Sequence, residues 1–180
     1  MDLLTRFRRM AENNLWSNDR LYRAVLALHP GEFEAARVSF FPSIKATLNH
    51  LLSIDLAYLD MLEEGGGGLT VFLNFRAYDE ATELAAAQAA FDRRLLAFCN
   101  AITTADLDRR VPTDRGEQGI VQERIGELLA HLFIHDIHHR GQVHAMLSGT
   151  SVAPPQLDEF FLDFDRKLRA EEVARLGLSD

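Results

Sequence analysis

The chain has 180 residues, of which 47% are hydrophobic and 26% charged, and its net charge is −8. This length and composition predict one folded domain over residues 1–180 and exclude a disordered chain. The acidic balance argues against nucleic-acid binding, because an acidic surface repels phosphate backbones. Cys99 is the single cysteine, so it cannot form an internal disulfide.

Nothing in the sequence indicates export or membrane insertion. The N-terminal segment MDLLTRFRRMAENN lacks the uninterrupted apolar run of a secretory signal. No apolar run approaches the roughly 20 residues that are needed to cross a bilayer. We therefore expect a cytoplasmic protein that has no membrane partner.

Apolar residues recur at helical spacing along most of the chain. The first helix face runs from Leu4 to Leu28, and HPGE ends it because proline cannot continue a helix. Further helices are predicted at about 43–64, 80–102 and 121–148, with a short C-terminal helix at about 157–175. The sequence GGGG at 65–68 predicts a flexible turn. Residues 69–80 are expected to form an ordered and partly extended connector, and residues 103–119 a long loop with room for a hairpin. These elements predict an all-α four-helix bundle with long connectors.

The segment HLFIHDIHHRGQVH, residues 131–144, holds five of the seven histidines. On a helix that turns about 100° per residue, four of them share one face with Gln142, while the fifth lies almost opposite. These four are His131, His135, His138 and His139. Charged imidazoles on a buried face would be costly and would repel one another. Two interpretations follow: the rings bind a divalent metal as neutral imidazoles, or they are core histidines with shifted pKa values.

A metal site needs ligands from more than one place on this helix. His135 and His139 are four residues apart and can converge on one ion, but a catalytic site of this type uses three protein ligands. His50 lies in the middle of the second helix, on a face that is turned away from that helix's polar strip. A facing helix would bring it to the other two, so we predict His50 as the third ligand. His29, at a helix end before Pro30, is expected to be exposed.

Polar residues also interrupt the apolar faces of the first two helices. Asn14 and Asn18 are expected either to form hydrogen bonds between helices or to line a cavity and support the ligands near the metal. Trp16 lies off the apolar stripe and is expected to pack against a connector or a subunit interface. Asp55, among leucines, is expected to pair with an arginine or a backbone amide.

Several of these segments resemble the DinB-like (damage-inducible) metalloprotein family, whose histidine motif is H-x-x-x-H-R-G-Q. His135, His139, Arg140, Gly141 and Gln142 stand in the matching positions. TLNHLLSIDLAYL resembles the family's second-helix segment, NNLWSNDRL its first-helix pattern and PPQLDEFFL its C-terminal segment. The resemblance therefore extends over nearly the whole chain.

The resemblance implies an up-down-down-up bundle, a homodimer and a three-histidine divalent site made by His50, His135 and His139. It also implies relatives that act as thiol-dependent transferases or isomerases with low-molecular-weight thiols such as bacillithiol or mycothiol. The family name records induction by DNA damage and does not imply DNA binding. His131 and His138 leave open whether one of them replaces a ligand.

Three functional hypotheses remain at this point. In the first, a metal with an open position lowers the pKa of a bound thiol or water for transfer to a small electrophilic substrate, and Asn14, Asn18 and Gln142 orient substrate or ligands. In the second, a structural metal with a fourth protein ligand stabilises a non-catalytic stress-response protein. In the third, the chain is a stress-linked interaction module and the metal is incidental. Zinc is the expected metal for three imidazoles, with nickel, iron and manganese as alternatives.

Overall fold

The structure is a computed structural model that describes residues 2–179. Helices and a two-stranded antiparallel sheet follow in this order: α1 Leu3–Leu26, α2 Ile44–Leu62, α3 Leu69–Leu73, α4 Ala81–Ala101, β1 Arg110–Asp114, β2 Ile120–Arg124, α5 Ile125–Leu147 and α6 Arg166–Leu176. The predicted all-α fold with long helices and long connectors is confirmed. Asp2 and Ser43 cap α1 and α2, because their side chains accept hydrogen bonds from backbone amides of the first turn.

The four long helices pack as a bundle in which α1 and α2 each contact both α4 and α5. Phe7 stacks against Phe133 and Asn14 contacts Arg140, so α1 and α5 run in the same direction. Residues further along α2 contact residues nearer the start of α5, so these two helices are antiparallel. The contacts between α1 and α4 follow the same reversed order, so this pair is antiparallel as well. We infer from these contacts that α1, α2, α4 and α5 run up, down, down and up.

Trp16 joins the C-terminal segment to the bundle. Its ring is fully buried and lies 5.5 Å from the ring of Phe160, and Val173 of α6 completes this small cluster. The indole Nε1 donates a hydrogen bond to a carboxylate oxygen of Glu172 at 2.9 Å. The sequence suggested that Trp16 packs against a connector or a subunit interface, and the structure shows it packed against a connecting segment of its own chain.

Two predicted helix boundaries were wrong. The fourth long helix begins at Ile125 and not at Val121, because residues 120–124 form β2 and pair with β1. Gly119 has a φ of 80°, which favours the turn into β2, and the β-branched residues Ile120 and Val121 favour the strand. The C-terminal helix begins at Arg166 and not at 157, since the segment before it packs against Trp16 in a non-helical conformation.

The connector after α2 also differs from its prediction. The glycine run is held by Asp60, whose Oδ2 accepts hydrogen bonds from the backbone amides of Gly67 at 2.8 Å and Gly68 at 2.7 Å. A Cβ on Gly65 would lie 2.2 Å from Oδ1 of Asp60 and would displace the Asp60 side chain that holds the glycine run. The first five residues of the connector that was predicted to be ordered and partly extended form the short helix α3.

No helix within residues 2–179 combines the length and the apolar character that a membrane span requires.

A buried polar network connects the helices of the bundle. Asp92 of α4 accepts hydrogen bonds from Asn14 at 3.1 Å, from Asn18 at 2.9 Å and from Gln88 at 3.4 Å. The Asp92 side chain is almost completely buried. Burial raises the pKa of Asp92 to about 7, although the Asn18 amide opposes the shift. Asn14 and Asn18 therefore form hydrogen bonds between α1 and α4.

We expect Asp92→Asn to change stability in a pH-dependent way. Because the folded-state pKa of about 7 exceeds the unfolded value of about 3.9, the folded protein binds more protons between these values. The contribution of Asp92 to stability therefore falls as the pH rises through this window. In urea unfolding, the difference in the free energy of unfolding between the variant and wild type should shift by about 2–3 kcal/mol in favour of the variant from pH 5 to pH 8.

Asp108→Asn is the matched control, because the Asp108 side chain is 90% exposed and its replacement should give the same small difference at both pH values. An Asp92→Asn difference that does not change with pH would contradict the shifted pKa.

Candidate metal centre

The structure brings together the three histidines that were predicted as metal ligands. His50 comes from α2 and His135 and His139 from α5, and one ring nitrogen of each lies within 4.8 Å of the others. The Nε2 atoms of His50 and His135 are 3.3 Å apart. The ring of His139 lies 4.4 Å from that of His135 and 4.8 Å from that of His50, measured between centroids.

The helix geometry explains why these rings meet. His135 and His139 are one helical turn apart on α5, so both project from the same face. Leucines of α2 such as Leu48, Leu51 and Leu52 are fully buried in the core and fix the rotation of that helix. With α2 held in this way, His50 faces α5.

Burial favours the neutral form of two imidazoles of this cluster, His50 and His139. Desolvation, together with the charges of His139 and His135, lowers the pKa of His50 to about 4. Desolvation also lowers the pKa of His139, which is buried, although a hydrogen bond to Gln142 opposes the shift. Near neutral pH these two rings therefore carry lone pairs and no charge, which is the form that binds a metal.

Gln142 orients one of the three rings. The Nδ1–H of His139 donates to the side-chain oxygen of Gln142 at 2.7 Å, so the Nε2 of His139 keeps its lone pair. The amide nitrogen of Gln142 lies 3.2 Å from the Nε2 of His138 and donates to it. The place of Gln142 beside the cluster agrees with the orienting role that the sequence suggested.

Phe41 covers one side of the cluster and was missed by the sequence reasoning. Its ring stacks on His50 with centroids 4.3 Å apart and lies 5.6 Å from the ring of His139. Phe40 packs edge-on against Phe41 and is 83% exposed. The only sequence signal was the pair of aromatic residues before α2.

The remaining histidines lie outside the cluster. His131 is exposed and stacks on Tyr58 at 5.2 Å, and His138 is exposed beside Gln142. Neither belongs to the three-histidine group. His144, the fifth histidine of the segment, which lies almost opposite on the helix, makes a 3.0 Å contact from Nε2 to the carbonyl oxygen of residue 155.

The comparison with known proteins agrees with this architecture. The sequence profile described as "DinB family" matches residues 3–170, which is most of the chain.

The chain belongs to the DinB family.

Two relatives from Bacillus subtilis are similar to this DinB family chain over most of their length. "Protein DinB" of strain 168 is 26% identical over 153 residues, which cover 81% of this chain and 88% of that protein. A crystal structure of a DinB-like protein matches with a TM-score of 0.57 at 16% identity, covering 78% of this chain and 90% of that one. At this identity, the second similarity supports the fold alone.

Two acidic residues behind the cluster form a second group in this DinB chain. Carboxylate oxygens of Asp55 and Asp136 and a ring nitrogen of His135 lie within 4.8 Å of one another, and both acids are completely buried. The Nδ1 of His135 is 3.8 Å from an oxygen of Asp136. Burial and the negative charge of Asp136 raise the pKa of Asp55 well above its usual value.

The predicted partners of Asp55 were wrong. The side chain accepts a hydrogen bond from the Gln88 side-chain amide at 2.8 Å and contacts neither an arginine nor a backbone amide in the described chain. Helix periodicity identified Asp55 as buried but could not show that α4 would bring Gln88 to it.

Asn14 and Asn18 adopt the first of the two roles that the sequence left open. Besides their bonds to Asp92, both accept hydrogen bonds from Arg140, which is 3.3 Å from Asn18. Among residues 2–179, these contacts stay inside the bundle and do not extend to the histidine rings.

We expect Gln142→Leu to weaken metal binding. Loss of the acceptor at Gln142 frees His139 to change tautomer and rotate, and lost support of this kind typically costs about 10–100-fold in metal affinity. Competition titration of metal-free protein with a zinc chelator measures the effect. Gln118→Leu, in an exposed turn, is the control and should bind as wild type. Equal affinities for Gln142→Leu and wild type would show that Gln142 does not orient the ligand.

Proposed function

We propose that this DinB family member binds one divalent metal ion through His50, His135 and His139. We also propose that the bound ion serves a reaction between a thiol or water and a small electrophilic substrate. The observation that carries the proposal is the convergence of three imidazole nitrogens within 4.8 Å.

The donor set fits a divalent ion of the borderline-soft class. Imidazole nitrogens suit zinc, with nickel, iron and manganese as alternatives. Because imidazole is neutral, these ligands leave the charge of the ion uncompensated. When bound, such an ion supplies a Lewis acid that lowers the pKa of a coordinated thiol or water.

The chain's own residues would prepare the site in three ways. Gln142 holds His139 in the tautomer that leaves its Nε2 free. The ring of Phe41 covers one side of His50 and limits the access of water there. The side chain of His135 stays 15% exposed, so a small molecule has a route to the cluster.

A structural metal is the competing function, and it would need a fourth protein ligand. The two candidates from the sequence have other contacts, since His131 stacks on Tyr58 and His138 lies beside Gln142. Within the described chain the histidine group has three members, which favours an open position on the ion.

Several features that the sequence or its family resemblance led us to expect stay predictions. These are the homodimer, the cytoplasmic location, the single domain over residues 1–180 and the use of a low-molecular-weight thiol. The acidic net charge of −8 argues against a nucleic-acid partner.

Metal analysis of protein purified without a nickel column tests the binding step. We expect about one zinc per wild-type chain, and about 100-fold or more weaker binding when His50, His135 or His139 is replaced by alanine. His29→Ala is the control, because His29 is exposed and outside the cluster. Wild-type metal content in all three cluster variants would refute the site.

A second measurement separates enzyme from structural protein. Zinc-loaded protein is incubated with a model electrophile, with or without a thiol, and the thioether and the hydrolysis product are quantified against metal-free protein and against His139→Ala. Metal-dependent product formation is expected. Full metal binding with no product for any thiol or for water would favour the structural metal.

A further inference from the structure

The two ring nitrogens of His135 lie beside different groups. Its Nε2 is 3.3 Å from the Nε2 of His50. Two imidazole nitrogens that bind one tetrahedral zinc ion at the usual bond length stand about 3.3–3.4 Å apart, so Nε2 is the atom that is placed for an ion. The Nδ1 of His135 is buried and has no hydrogen-bond partner among residues 2–179.

The carboxylate of Asp136 lies next to this buried nitrogen. Its Oδ1 is 3.8 Å from the Nδ1 of His135. The Asp136 side chain is completely buried, and neither of its oxygens accepts a hydrogen bond from an amide, guanidinium or hydroxyl group of the described chain. A buried acceptor and a buried nitrogen that both lack a partner are costly, and a small rotation of the imidazole ring would satisfy the two together.

Asp55 supports Asp136 as the acceptor of this pair. The two side chains form a hydrogen bond with each other, and burial together with the charge of Asp136 raises the pKa of Asp55 well above its usual value. Asp55 therefore carries the shared proton and Asp136 accepts it. The side-chain amide of Gln88 fixes Asp55 in turn, because it donates to the Oδ2 of Asp55 at 2.8 Å.

We propose that Asp136 positions His135 by accepting a hydrogen bond from its Nδ1–H, which leaves the lone pair of Nε2 free for the metal ion. This inference rests on the proposed function. A neutral imidazole carries one N–H, so an acceptor at Nδ1 disfavours the tautomer whose proton would occupy Nε2. Gln142 acts on His139 in the same way, so each ligand on α5 has a side-chain acceptor behind it.

The first test reads the tautomer of His135 in metal-free protein by nitrogen NMR with isotope-labelled histidine, at about pH 8, above the usual pKa of imidazole. His135→Ala assigns the signals. Wild-type His135 should carry its proton on Nδ1. In Asp136→Asn the new amide group can donate to Nδ1, so the proton should move to Nε2.

Asp92→Asn is the matched control for this measurement. Asp92 is also buried, but its hydrogen bonds come from side chains of α1 and α4, so its replacement should leave the tautomer of His135 unchanged. A wild-type His135 whose proton is on Nε2 would overturn the inference. An Asp136→Asn variant with the wild-type tautomer would overturn it as well.

The second test measures what the positioning contributes to metal binding. In a chelator competition, Asp136→Asn and Asp136→Ala should each bind zinc about 10–100-fold more weakly than wild type, the usual effect of losing a group that orients a ligand histidine. Asp92→Asn should bind zinc as wild type does. Wild-type affinity in both Asp136 variants would show that Asp136 does not position the ligand.

A folding defect and a failed metal site give results that can be told apart. Asp136→Asn preserves the size of the side chain, and the tautomer of wild-type His135 is measured without any variant. If wild-type protein binds no zinc, the proposed function is refuted. The tautomer in metal-free protein then still decides whether Asp136 orients His135.

Discussion

Where α2 packs against α5, the rings of His50 and His135 are in contact, so protonation of both at once would be costly. The Nε2 atoms of His50 and His135 are 3.3 Å apart, and protonation of both would place two positive charges at that separation. Burial opposes protonation and lowers the pKa of His50 to about 4. A neutral imidazole keeps a nitrogen lone pair that can bind a divalent cation. The neutral form that allows the rings to touch is therefore also the form that a metal site requires.

A second set of buried polar groups lies behind the rings and connects all four long helices. Asp55, Asp92 and Asp136 are buried together with Arg140, and the charges of all three acids act on its guanidinium. The raised pKa values of Asp55 and Asp92 show that burial favours their protonated forms. This interior connects with the histidine cluster where Asp136 approaches His135. The bundle therefore combines an apolar core with a polar interior beside the histidines.

Local patterns predicted the helices and much of the site, since periodicity and turn residues act within a few positions. The placement of His50 toward α5 followed from its face on α2, and the structure shows the same three rings together. The remaining features depend on contacts between distant segments. Gln88 reaches Asp55 only through the packing of α4, and Phe41 reaches His50 only through the path of a long connector.

Anomalous diffraction at the zinc edge, from crystals of the zinc-loaded protein, tests the central claim most directly. The account predicts one strong peak in contact with His50, His135 and His139, with solvent completing the coordination. A peak bound instead by Asp55, Asp136 and the other ring nitrogen of His135, which form the second candidate group, would contradict it. So would well-ordered histidine rings that have no anomalous peak between them at saturating zinc.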